Sequence, residues 1–392
     1  AERARMAALP VEVIVVACVA PVVAVALCIL FTLTSKFQSL LVFGHWNNWP
    51  PFDPADLTRP SSAWARRLVA VLGPAFRGLP QAVPFTATGP KGTLRGLRVP
   101  RTAPGHHVVL YLHGNAGNVA TGHRVALYKL LTAPPFCCDV VAIDYAGFGQ
   151  SDGVWPDEES AVRDALAALE ALPDRRSDVI VWGHSLGTGI AVGAMARLLG
   201  CSGTPAATAP AAPSGRVLAR GREVRDTCTP LAPSEEGSPA LDAAAAEPPR
   251  GLILEAPFLS VPDAAVGVLS RCRRPPRLLL RALRNCLSAA IRAHRMPSHE
   301  RIAGVAGGMP VAMLHGLRDS IIPFEQGQQL ASLAGAPLHS FDCGHEDIVR
   351  DPKLVEVLKG IFREWEAPLE DGGVKAGKEA VLEGGLAAGG EV

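Results

Sequence analysis

The stretch from residue 94 to 200 constrains the fold more than any other part of the chain. Short apolar runs alternate there with segments of helical spacing. Residues 107–112 (HVVLYL) form one such run, ending in His113-Gly114, and helical spacing follows at 122–131. Residues 139–143 form a second, ending in Asp144-Tyr145-Ala146-Gly147-Phe148-Gly149, ahead of helical spacing at 158–172. Residues 179–182 form a third, stopped by Gly183, and the small residues of 190–199 predict another helix. Runs this short and this continuously apolar fit strands buried on both faces, and helices between them make the sheet parallel. The pattern resumes after residue 250, with strands expected at 251–255, 311–314 and 338–341 and helices at 324–333 and 353–365. The expected fold class is therefore α/β, a mostly parallel central sheet with helices on both faces.

The remaining segments divide the chain. Residues 13–33 (VIVVACVAPVVAVALCILFTL) carry no charge. At about 1.5 Å per residue, such a helix spans a hydrocarbon core of about 30 Å. A cleaved signal peptide has a shorter apolar region, typically about 7–15 residues. One transmembrane helix is the expectation, against an uncleaved signal or a buried hairpin helix. Pro21 is tolerable in such a helix. Arg3 and Arg5 are offset by Glu2 and Glu12, and Lys36 follows, so charge sets no orientation. The chain starts with Ala rather than Met, which fits a fragment or a processed form. Residues 36–93 show no clear periodicity and read as a membrane-proximal segment. Trp46 and Trp49 there suit a lipid–water boundary or an aromatic core equally. The principal domain is expected at 94–366, with a disordered insertion at 201–250, a lid at 258–309 and a disordered tail at 367–392. A net charge of +1 argues against a whole-molecule nucleic-acid binder, and the nine cysteines show neither a disulfide framework nor a zinc spacing.

Gly183-His184-Ser185-Leu186-Gly187 matches G-x-S-x-G between an apolar strand and a small-residue helix. That context places Ser185 on a sharp strand-to-helix turn, with its hydroxyl clear of the sheet. A nucleophilic serine needs a base, and the base needs an orienting acid. The expected order is Ser, then acid, then His. Asp319 follows the strand at 311–314, and His345 lies on the loop after the last strand, beside Gly344. Ser185, Asp319 and His345 are therefore the expected triad. Glu255, at a strand end, reads as a structural carboxylate or a displaced acid. Asp144 precedes the serine and reads as a loop residue. The His184 side chain should point away, His113 and His315 should shape loops, and His294 and His299 should lie on the surface. The oxyanion donors are expected to be the backbone N–H groups of Leu186 and Asn115, the latter from His113-Gly114-Asn115-Ala116-Gly117. That loop lacks the Lys-Ser/Thr of a phosphate-binding P-loop and the spacing of a dinucleotide fingerprint.

Tyr111 to Gly117 (YLHGNAG), His123 to Lys129 (HRVALYK), Ile143-Asp144-Tyr145, Trp182 to Ala191 (WGHSLGTGIA) and Leu252 to Phe258 (LILEAPF) resemble one branch of the α/β-hydrolases. It is the branch of membrane-bound lysophosphatidylserine lipases and monoacylglycerol lipases. The resemblance covers roughly 105–200 and 250–365; the 201–250 insertion lies outside the family core, and the lid matches poorly. It implies an α/β-hydrolase fold with a lid, behind one transmembrane helix. It places the family triad on Ser185, Asp319 and His345. It further implies hydrolysis of single-chain glycerolipids at the endoplasmic reticulum membrane, without metal or organic cofactor. A related branch with similar His-Gly-Asn loops removes palmitate from proteins, so a depalmitoylase or acyl-thioesterase is the rival enzyme. A triad-bearing scaffold that binds lipid without turnover is the rival outside catalysis.

Residues 277–295 (RLLLRALRNCLSAAIRAHR) are strongly basic. At 100° per residue, Arg277, Arg281, Arg284, Arg292 and Arg295 fall within an arc of about 80°, opposite Leu279, Leu280, Leu283, Leu287 and Ile291. Such a helix would lie on an anionic membrane or steer an anionic headgroup. Alternatively, it packs its leucines on the core and leaves the arginines in solvent.

Overall fold

The computed structural model describes residues 34–46, 79, 81–201, 247–273, 284–287, 291 and 294–366. Among them, one sheet contains β1 (Val83–Gly89), β2 (Gly92–Val99), β3 (Val108–Leu112), β4 (Asp139–Asp144), β5 (Val179–His184), β6 (Gly251–Glu255), β7 (Val311–Gly316) and β8 (Leu338–Phe341). The order across the sheet is β1-β2-β4-β3-β5-β6-β7-β8. β2 pairs antiparallel with β1 and with β4, and every other pair is parallel.

Helices cover both faces: α1 (Ser35–Phe43), α2 (Gly122–Thr132), α3 (Glu158–Glu170), α4 (Leu186–Leu198), α5 (Val261–Arg273), α6 (Ser298–Gly308), α7 (Phe324–Ala334) and α8 (Lys353–Glu366). The pleat explains why the central strands are apolar throughout. In β3, Val108, Leu110 and Leu112 join the core that contains residues of α3, α4, α6 and α7. Val109 and Tyr111 join the opposite core, with residues of α2 and α8. α3 starts where it does because Asp157 caps it: its carboxylate accepts the Ser160 N–H at 2.7 Å, and Ser160 Oγ bonds back.

Periodicity missed β1, β2, α1, α5 and α6. The sheet starts at Val83, ahead of residue 94. β1 carries Pro84, Thr86 and Thr88 and is largely exposed, so it has no apolar run to read. A tight turn through Pro90 and Lys91 fixes its register, pairing Gly89 with Gly92. α1 lies in the segment read as aperiodic. It ends at Gly44 in the left-handed region (φ 58°) and owes its place to tertiary contacts: Phe43 is fully buried against the rings of Phe148 and His294.

The lid region also differs from expectation. α6 buries Ile302 and Val305 in the core shared with α4 and α7, so 298–308 belongs to the helical layer rather than to a lid. His294, expected at the surface, is 1 % exposed because it packs under α1. His299 is partly buried and meets the Leu259 carbonyl at 2.9 Å. Arg284 lies on helical residues at 284–287, but Arg295 does not; its carbonyl accepts the Val261 N–H, and Met296 turns the chain with φ 44°. One helix through all five arginines is therefore not formed. Arg277, Arg281 and Arg292 lie outside the described residues, as do the expected anchor at 13–33, Trp49, 202–246 of the insertion and the tail at 367–392. Among the described residues, no helix is long and apolar enough to cross a membrane.

Candidate active site

Ser185 joins β5 to α4 with φ 51° and ψ −118°, a conformation that L-residues rarely adopt. Such strain costs on the order of 1–3 kcal/mol. Burial of Ile180, Val181 and Trp182 before the turn and Ile190 and Val192 after it offsets that cost, at about 1.5–3 kcal/mol per large side chain. The flanking glycines are required by close approach. A Cβ at Gly187 would collide with the Leu112 carbonyl, and one at Gly183 with the backbone of Gly187 and Thr188. The turn is closed by the Ser185 N–H, which donates to the Glu255 carbonyl at 2.9 Å.

The loops after β7 and β8 bring Asp319 and His345 to this turn. His345 Nε2 lies 2.9 Å from Ser185 Oγ, and His345 Nδ1 lies 2.6 Å from Asp319 Oδ2. Asp319 is fixed by its own loop: Oδ1 accepts the N–H groups of Ile321 and Ile322, both at 2.8 Å. Burial works to raise the Asp319 pKa. Hydrogen bonds from His315 and His345, the His345 charge and the Ile322 N–H outweigh it and hold the carboxyl well below its usual range. A carboxylate only accepts, so Nδ1 of His345 carries the proton and Nε2 presents a lone pair to the Ser185 hydroxyl.

Of the other sequence candidates, Glu255 and Asp144 lie outside this chain of bonds, whereas His315 and His184, the latter expected to point away, pack against its members. Glu255 accepts the indole N–H of Trp182 at 2.9 Å, and burial pushes its pKa up to about 7. Asp144 accepts the Val119 N–H at 2.9 Å and is likewise raised to about 7 by burial. The buried His315 has Nε2 3.1 Å from the Ile322 carbonyl and 3.4 Å from Asp319 Oδ2, bracing the acid loop. The His184 ring packs between those of His345 and His123, at 5.2 and 5.3 Å. Burial, reinforced by the His345, His123 and Arg124 charges, keeps it neutral.

The loop after β3 reaches Ser185 because its glycine is small: a Cβ at Gly114 would stand 3.1 Å from Ser185 Cβ. Arg124, only 2 % exposed, braces this loop from α2, donating to the carbonyls of Asn118 at 2.7 Å and Ala116 at 2.9 Å. The Tyr145 hydroxyl donates to the His113 carbonyl at 3.1 Å. Asn115 and Leu186, the expected oxyanion donors, line one cavity of about 380 Å³ with Ser185. Its other walls are apolar and include Val42, Phe258, Val261, Leu287, Ile291 and Ile322. Reasoning on motifs gave no role to Arg124 or to Val42. A cation beside a glycine loop was the available signal for the first, and the second had none.

Among the described residues, His106, His107 and Glu366 are the group able to converge on a metal ion. They lie at the opposite end of β3 from the His113–Gly114 loop, and His107 Nε2 already meets Glu366 Oε1 at 3.0 Å.

A family model for the "Alpha/beta hydrolase family" matches residues 109–356. Lysophosphatidylserine lipase ABHD12 of Macaca fascicularis is 30 % identical over 281 residues, covering 66 % of this chain and 56 % of that one. Protein ABHD12B of Homo sapiens is 30 % identical over 236 residues, covering 59 % and 50 %. The chain thus spans about half the length of these relatives. Among solved structures, an esterase of Pyrococcus furiosus aligns with a TM-score of 0.45 at 14 % identity, over 72 % of this chain and 89 % of that one.

Proposed function

Because the chain belongs to the alpha/beta hydrolase family, we propose that it is a membrane-anchored serine hydrolase cleaving the acyl ester of single-chain glycerolipids. The observation that carries this reading is His345, bonded to both Ser185 Oγ and Asp319 beside an apolar cavity. In the proposed mechanism, Nε2 of His345 takes the hydroxyl proton as Ser185 Oγ attacks the ester carbonyl. Asp319 holds the imidazole tautomer and stabilises the imidazolium. The N–H groups of Leu186 and Asn115 receive the oxyanion. His345 then protonates the leaving alcohol, and water, activated by the same histidine, hydrolyses the acyl-enzyme. Protein groups carry every step.

The cavity volume falls in the range of small-molecule sites, roughly 300–1,000 Å³, and its largely apolar wall suits an acyl chain. Relatives named as lysophosphatidylserine lipases favour a lysophospholipid, with monoacylglycerol as the related substrate. Residues 13–33 would supply the anchor, and 36–93 would link it to a catalytic domain at 94–366, onto which α1 and the β1–β2 hairpin pack. The lid is the part of 258–309 that precedes α6. Its arginines would face an anionic surface: Arg284 and Arg295 are exposed, with carboxylates 3.7 and 3.8 Å away. An endoplasmic reticulum membrane is the proposed location, on the resemblance alone.

Fluorophosphonate labelling of the full chain and of Ser185→Ala, with a panel of lipids, tests the reading. Labelling that is lost in the variant, with turnover of lysophosphatidylserine or monoacylglycerol, is expected. An unlabelled wild type would sink the hydrolase assignment and favour a lipid-binding scaffold. Faster turnover of a palmitoylated peptide would keep the hydrolase and replace its substrate with a thioester.

A further inference from the structure

We propose that α1 is a working part of the active site: it holds the oxyanion loop against Ser185 and closes one wall of the acyl cavity. The proposal rests on the serine-hydrolase reading. A helix leaves its last carbonyls without partners inside the helix. In α1 those carbonyls are taken by the oxyanion loop: the Asn115 side-chain amide donates to the Val42 carbonyl at 2.8 Å, and the Ala116 N–H donates to the Phe43 carbonyl at 3.1 Å. The same turn puts Val42 on the cavity wall beside Ser185.

α1 is itself fixed to the body of the protein. Phe43 is fully buried, and Ser39 Oγ donates to the Pro156 carbonyl. His294 Nδ1 accepts the Glu158 N–H at 3.3 Å, which leaves its Nε2–H for the Ser35 carbonyl at 3.2 Å. A contact chain therefore runs from the start of α3 and the approach to α6, through α1, into the loop that presents Asn115. This matters because a backbone N–H has no rotamer of its own; it is aimed only by holding the loop that bears it. α1 thus acts as a positioning element for the oxyanion, and Val42 as a specificity-determining residue.

Gly44 makes the proposal testable with a matched control. It ends α1 with φ 58°, and a Cβ there would collide with Asn115 Oδ1. Gly335 ends α7 with φ 60°, and a Cβ there meets nothing within 4 Å. Gly44→Ala and Gly335→Ala share the same backbone penalty, but only the first pushes on the oxyanion loop. The experiment is steady-state hydrolysis of p-nitrophenyl butyrate by the full chain, with melting temperatures and fluorophosphonate labelling alongside. Gly44→Ala should lower kcat at least about tenfold relative to Gly335→Ala with KM within about threefold, measured well below the melting temperature of both variants. A kcat within about twofold of that control would overturn the proposal. Should Gly44→Ala fail to fold, Asn115→Ser removes the donor to Val42 while keeping the backbone N–H, and the same loss of kcat is expected; an unchanged kcat overturns the proposal. Val42→Trp should shift acyl preference toward shorter chains, and an unchanged chain-length profile overturns the wall assignment. A wild type that neither labels nor turns over would instead overturn the hydrolase reading, so the two failures are distinct.

Discussion

The two halves of the site are held in different ways. On the triad side, three side chains project from loops after β5, β7 and β8 and are each set by a few direct bonds. Asp319 is fixed by the N–H groups of its neighbours Ile321 and Ile322, and His345 by Asp319 itself. On the oxyanion side, the loop after β3 depends on groups gathered from three other parts of the fold: Arg124 in α2, Tyr145 after β4 and the carbonyls of Val42 and Phe43 in α1. The difference has a physical cause. A side chain is directed by its rotamer and one or two partners, whereas a backbone donor is directed only by fixing several residues of chain.

The largest effects should come from the triad side. Ser185→Ala should lower kcat by about 10⁶-fold, and Asp319→Asn by about 10⁴-fold through loss of the correct imidazole tautomer, both read by ester hydrolysis. An Asp319→Asn enzyme keeping a tenth or so of wild-type kcat would break the comparison, because direct bonding would then not set the base. The oxyanion side should respond less in rate and more in stability. Arg124→Met leaves the Ala116 carbonyl without its buried donor, at a cost of about 1–3 kcal/mol, while the Asn118 carbonyl keeps the Thr121 N–H and hydroxyl. Melting temperature should fall, and kcat should fall by about 10–100-fold, less than the roughly 10²–10³-fold loss for removing an oxyanion donor outright, because the N–H groups are displaced rather than lost. A stable variant with normal kcat would show that α1 and Tyr145 hold the loop without Arg124.

The same contrast explains what was legible from sequence. G-x-S-x-G, the acid after β7 and the histidine after β8 each lie within a few residues of a readable strand end, so order along the chain led to side chains that the structure brings together. The central strands were legible because burial on both faces makes them continuously apolar. β1 was not, because an edge strand with Pro84, Thr86 and Thr88 faces solvent and is placed by its turn. α1 was not, because nine residues carry too little periodicity and its position comes from Phe43, His294 and the Asn115 loop. His294 was misplaced for the same reason: its partners, Glu158 and Ser35, are distant in sequence.

The smallest effect on catalysis, and a sharp test of which carboxylate serves His345, should come from Glu255. It ends β6 and was the rival acid, yet its carboxylate is bound to the Trp182 indole. Glu255→Gln keeps an acceptor for that indole, so kcat should stay within about threefold of wild type, against the roughly 10⁴-fold loss for Asp319→Asn. A larger loss than that of Asp319→Asn would reverse the two roles. The variant should also alter stability in one pH window. Burial raises the Glu255 pKa from 4.5 to about 7, so the folded state holds a proton that the unfolded chain releases. The resulting stabilisation is complete below pH 4.5 and is lost as pH rises through about 7. By linkage it amounts to about 3 kcal/mol. The substituted amide does not titrate, so melting temperature should fall less between about pH 5 and pH 8 in the variant than in the wild type. A residual slope of the same sign is expected from Asp144 and Asp164, raised to about 7 and about 6 by burial. Equal slopes in the two proteins would mean that Glu255 enters the fold already ionised, with a charge close enough to support His345.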